Sequence, residues 1–247
     1  SGSVSVLTTV KKDGVFLHEC EVSSEIKVGD KVIARPDKLR RASIARNHSS
    51  AHLLQSALRR VLGDHVEQAG SLVDAERVRF DFKHFAPMTA DELSAVEALV
   101  NEYIMSDYTV ETVETDPETA KSMGATALFG EKYGKVVRMV KMGEASVELC
   151  GGTHVSSTSQ IGLFRLISES SVAAGIRRIE GTTGMGVLEL LNEKENIISE
   201  AVAASKAQNG AALVERINAL TREAKELSAK LRELQAKEAL RAVEALE

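Results

Sequence analysis

Four residues able to hold a cation fall in two five-residue windows, His48-Ser49-Ser50-Ala51-His52 and Cys150-Gly151-Gly152-Thr153-His154. The whole chain has six histidines and two cysteines, so half of its imidazole and thiol groups sit in these windows. On a helix, residues four apart project from one face, and His48 and His52 can point two rings at one ion. With Cys150 and His154 they make a Cys-His₃ set suited to tetrahedral Zn²⁺. The thiolate offsets part of the zinc charge, and the remainder can polarise an ester carbonyl, bind a hydroxyl or acidify water. Gly151 and Gly152 are expected to adopt backbone conformations closed to other residues, so that Cys150 and His154 converge and a ligand can approach the main chain. No glutamate lies between His48 and His52, which disfavours a thermolysin-type protease. A closed set of four donors suits a structural ion, whereas catalysis needs an open or exchangeable position. Spacing leaves both readings open.

The elements that must carry these windows follow from periodicity. Apolar spacing over about Asp37 to Leu62 predicts a helix bearing His48 and His52 and stopped at Gly63. The alternation in "RVRFDFK" sends Val78, Phe80 and Phe82 to one face of a strand and Arg79, Asp81 and Lys83 to the other. Asp81 and Arg79, on the outer face, either help to organise a site or form an ordinary surface ion pair. Thr89 and Glu92 form a capping box, and Asp116-Pro117 opens a short helix. Further strands are expected in "KVVRMV", "SVELC", "GLFRLISES" and "IRRIEG". Consecutive strands late in a mixed order give an α+β domain over roughly 41 to 186. Ahead of it, "VSVLTTV", a turn at Lys12 to Gly14, "VFLHECEV" and "GDKVIAR" predict a small β-rich module. From Val187 the chain reads as helix, broken at Asn209-Gly210. Leu213, Ile217, Leu220, Ala224, Leu227, Leu231 and Leu234 then repeat as a heptad seam, which fits a coiled-coil hairpin or a dimer.

The totals bound the setting. At 247 residues and 43% hydrophobic, the chain can bury a core. Two cysteines make no disulfide framework, and no apolar run approaches a membrane span, so a cytoplasmic, reducing compartment without membrane contact is expected. A net charge of -5 argues against general coating of nucleic acid, although local basic patches can still steer a phosphate backbone. The Ser1-Gly2-Ser3 start and the heptads that stop at Glu247 lead us to expect a piece of a longer protein. His18, His65, His84 and Cys20 lack partner spacing and are assigned to structure.

Together "RNHSSAHLLQSALRRVLGDHVEQAGSLV", "RVRFDF", "TALFGEKYG", "ELCGGTHV" and "IGLFRLISESSVAAGIRRIEG" resemble the editing region of alanyl-tRNA synthetases. The resemblance runs over nearly the whole chain. It implies a small β-barrel at 1–40, a zinc-binding editing domain at 41–186, and a helical segment at 187–247. It further implies that His48, His52, Cys150 and His154 bind zinc in a site that deacylates tRNA(Ala) mischarged with serine or glycine. Gln68 matches a residue near the substrate and is expected to position the amino acid or the attacking water; otherwise it is a polar strand-edge residue. Ser49 matches a hydroxyl residue that can bond substrate or merely its own backbone. Ala51 stands where the family commonly has threonine. Gly151, Gly152 and Thr153 are expected beside the substrate, and Arg177 and Arg178 either contact the acceptor end or are solvated charges. The expected partners are tRNA(Ala), the remaining synthetase domains and a second copy through the helical tail. The competing readings are a free-standing trans-editing deacylase and a structural-zinc interaction module.

Overall fold

The computed structural model describes residues 3–125 and 134–244, so all of "TALFGEKYG" except its final Gly134 lies outside the described residues. The chain divides into two compact units, residues 1–37 and 38–247.

The first unit is one antiparallel hairpin, β1 (Val4–Lys12) with β2 (Val15–Val22). Its turn is made by Asp13 and Gly14 at φ 51° and 80°, the positive pair that matches the twist of a two-residue hairpin. The expected third strand, "GDKVIAR", does not form, and no barrel closes among the described residues. Val32 and Ile33 are adjacent rather than alternating, both are exposed, and Pro36 follows them. No side-chain pattern there gives a ladder one buried face.

The second unit is α+β. Helix α1 (Lys38–Leu62) leads to strands β3 (Gln68–Val73) and β4 (Val78–Lys83) and then to α2 (Ala90–Met105). Next come β5 (Val110–Thr115), α3 (Pro117–Ser122), β6 (Val137–Met142) and β7 (Ser146–Leu149). Strands β8 (Phe164–Ala173) and β9 (Ile176–Thr183) precede α4 (Met185–Ser205) and α5 (Leu213–Glu244). The strands form two antiparallel sheets, ordered β3-β4-β9-β8 and β5-β6-β7.

Helix α1 is buried on more than one side. Its apolar stripe, Leu53, Leu54, Ala57 and Leu58, packs in one core with Phe80 and Phe82 of β4, Ile179 of β9, and Val96, Val100 and Ile104 of α2. Several of its other buried residues are polar and hydrogen-bonded: Asn47 donates to the Asp74 carbonyl and accepts from Thr183, and Ser50 donates to the Asn47 carbonyl. Gly63, at φ 116°, ends the helix in a conformation that disfavours other residues. Thr89 and Glu92 make the expected reciprocal cap on α2.

Helices α4 and α5 are lightly held. Val187 is the one buried residue of α4, and no described side chain of α5 is buried. Near the break between them, Arg216 donates to the Ser205 carbonyl. The seam residues Ile217, Leu227, Leu231 and Leu234 are exposed. Among the described residues no helix is long and apolar enough to cross a membrane.

Candidate metal centre

Helix α1 presents His48 and His52 with ring centroids 5.4 Å apart. The loop after β7 brings Cys150 and His154 to them, and one donor atom from each of the four lies within 4.8 Å of the others. The Cys150 Sγ is 3.4 Å from His48 Nε2 and 3.3 Å from His154 Nε2.

Arg138 of β6 fixes that loop. Its backbone carbonyl accepts from the Cys150 N–H at 2.9 Å, while its guanidinium donates to the carbonyls of Cys150 and Gly152 at 2.7 and 2.9 Å. From the helix side, Ser49 Oγ accepts from the Val155 N–H and lies 3.2 Å from His154 Nδ1. Neither Gly151 nor Gly152 has a positive φ, so the expectation that both adopt special backbone conformations is corrected. Space explains Gly152 instead: a Cβ there would lie 1.8 Å from His48 Cε1. A Cβ at Gly151 would meet nothing within 4 Å.

The rings are held so that their Nε2 atoms converge. His52 Nδ1 donates to Glu148 Oε2 at 2.7 Å. A carboxylate only accepts, so in the neutral ring the lone pair is on Nε2. That Nε2 is buried and has no hydrogen-bond partner. A buried polar atom left unpaired is costly, and a cation at the centre of the cluster would satisfy it. This orphaned nitrogen, with a thiolate and two further imidazoles around it, fits zinc in donor type and number.

Electrostatics agree with that chemistry. Burial opposes the Cys150 thiolate, but hydrogen bonds from His154 and His48 outweigh it, with the charge of His52 adding to them, and hold its pKa down to about 3. Burial likewise opposes protonation of His52, yet the charge of Glu148 wins and pushes its pKa up to about 10. Burial holds the His154 pKa below its ordinary value. A cation bound there would take the place of the proton on His52 Nε2 beside the Cys150 thiolate, since metal ligands bind deprotonated.

Other expected site residues lie on neighbouring elements. Gln68 is half-buried on β3, an edge strand, opposite Phe82, and makes no hydrogen bond to the four donors. Thr153 is half-buried between Gly152 and His154. Arg177 and Arg178, on β9, are engaged within the protein: Arg177 Nε with Glu169, and Arg178 through Nε and Nη2 with both oxygens of Asp81 at 2.7 Å. Asp81 thus pairs with Arg178 and not with Arg79. His65 and His84, assigned to structure for want of partner spacing, meet at 2.9 Å.

Sequence reasoning missed Glu148 and Arg138. Glu148 did leave a signal: alternation along β7 puts Ser146 and Glu148 on one buried face, two residues before Cys150. Arg138 left none, because its role depends on the loop that folds over it.

A family model described as the threonyl and alanyl tRNA synthetase second additional domain matches residues 137–180, which include Arg138, Glu148, Cys150 and His154. An alanine–tRNA ligase of Desulforamulus reducens is 50% identical over 94% of this chain. The chain belongs to the alanyl-tRNA synthetase family. A second such ligase, from Clostridioides difficile, is 49% identical over 91% of the chain. The chain spans about a quarter of the length of these synthetases, 26% and 25% respectively.

Proposed function

We propose that the chain is the editing module of an alanyl-tRNA synthetase, a deacylase that hydrolyses the ester joining serine or glycine to the acceptor end of tRNA(Ala) in the cytoplasm. The observation that carries this reading is the four-donor cluster with its orphaned, buried His52 Nε2. His48, His52, Cys150 and His154 would hold Zn²⁺, which when bound supplies a Lewis acid for the ester or for water. The need for such a site is physical. A pocket shaped for alanine cannot exclude glycine by size and only weakly rejects an added hydroxyl. A second site that hydrogen-bonds the serine hydroxyl spares alanine, which would leave buried polar groups unpaired.

The residues take these roles. Ser49, fully buried, seats His154 and bears on the substrate through that ring. Gly151, open on its Cβ side, and Thr153 border the approach. Gln68 positions the amino acid or the attacking water. Arg177 and Arg178 flank the acceptor end from β9, Arg178 with its Nη1 outside the ion pair. Residues 41–186 form the hydrolytic part. Residues 187–247 form an arm whose exposed seam contacts a second copy or the remaining synthetase domains.

Release of serine from Ser-tRNA(Ala) tests the proposal, measured beside Ala-tRNA(Ala) and beside Cys150→Ala with bound zinc counted in both proteins. Serine-selective release that disappears in the variant is the expected result. A closed set of four donors also suits a purely structural ion. Full zinc loading without hydrolysis would favour that second reading.

A further inference from the structure

One buried ionisable side chain touches the four-donor cluster without belonging to it. Glu148 is 9% exposed on β7. Its Oε2 accepts from His52 Nδ1 at 2.7 Å, and its Oε1 accepts from Ser146 Oγ at 3.0 Å. Both carboxylate oxygens are therefore engaged within the protein, one on the ring and one on the strand. The other two imidazoles are oriented by different means: His154 through Ser49 Oγ, and His48 by packing against the backbone of Gly152. Only His52 is oriented by a full charge.

We infer that Glu148 is a positioning residue of the metal centre, holding His52 in the tautomer and orientation that turn Nε2 toward the ion, with Ser146 steadying the carboxylate in turn. The inference rests on reading the cluster as a zinc site. Its physical basis is threefold. A carboxylate accepts only, so it forces the proton onto Nδ1. Its charge raises the donor strength of the opposite nitrogen. Both groups are buried, so the contact is little screened by water. Ser146 removes the remaining rotational freedom of the carboxyl group, and the relay runs Ser146, Glu148, His52 from the strand to the helix.

The test is metal affinity in the 247-residue protein, by competition of Zn²⁺ with a chromophoric chelator, together with the visible spectrum of the Co²⁺-loaded form. Glu148→Ala should weaken Zn²⁺ binding by about 10–100-fold and alter the Co²⁺ spectrum. Glu148→Gln keeps an acceptor for Nδ1–H without the charge, and Ser146→Ala keeps the charge without its anchor. Both should lose less than Glu148→Ala. A residue needed only for folding would lower stability but leave the affinity and Co²⁺ spectrum of the folded protein unchanged, and that result overturns the inference. If Glu148→Ala does not fold, Glu148→Gln and Ser146→Ala decide: wild-type affinity and spectrum in both overturn it. Serine release from Ser-tRNA(Ala) by the same zinc-loaded proteins separates the two proposals. No release by wild type, with the affinity losses intact, sinks the deacylase reading alone. Normal release with undiminished affinity in all three variants sinks the role of Glu148 alone.

Discussion

Gly152 shows how one missing methyl group makes room for a ring of the four-donor cluster. A Cβ there would sit within 2.2 Å of His48 Nδ1, with the ring pinned between that backbone and the other donors. Gly152→Ala should displace His48 and weaken Zn²⁺ binding by about tenfold or more, while far-ultraviolet circular dichroism stays native. Away from the centre, the Arg178 hydrogen bond holds the Asp81 carboxyl below its ordinary pKa despite partial burial. A lowered folded-state pKa contributes stability that is fully present above the unfolded value, about 3.9, and lost as pH falls through the folded value. The melting-temperature gap between wild type and Asp81→Asn should thus be widest near neutral pH and close in acid. The four donors were legible because each pair lies in a short window where spacing alone brings the groups together. Glu148 and Arg138 were not, since what they touch is decided by how β6, β7 and α1 pack.

Elements were legible where the apolar period was clean. Strand β4 alternates Val78, Phe80 and Phe82 inward, and all three are fully buried. Phe80→Ala should cost about 3–5 kcal/mol in urea unfolding. The cap on α2 was equally plain, and Thr89→Ala should cost about 1 kcal/mol by the same measurement. Strand β5 was missed because Val110 and Val113 are three apart, a spacing unlike a strand's period, and its central residues, 111–114, are exposed. It is placed by pairing with β6 and not by a face of its own. The same weakness of local signal produced the opposite error at Lys31–Arg35, where β-formers beside a proline were read as a strand and none forms.

At the scale of the whole chain, the helical arm is nearly independent of the cluster. Val187 is the one buried residue of α4, and no described residue of α5 is buried, so removing residues 207–247 should change Zn²⁺ affinity less than about twofold. The cluster itself joins distant parts of the chain, since Cys150 and His48 are 102 positions apart. A bound ion would act there as a cross-link around that long loop, and a link of this span removes about 4–5 kcal/mol of unfolded-chain entropy if it forms only in the folded protein. Its effect on kinetics follows. Until α1 and the loop after β7 have met, the ion has nothing to bridge, so it cannot hasten their meeting; once they have met, it must let go before they can part. Zinc should leave the folding limb of a chevron almost unmoved and lower the unfolding limb, making the metal a latch on the folded protein and not a guide to it.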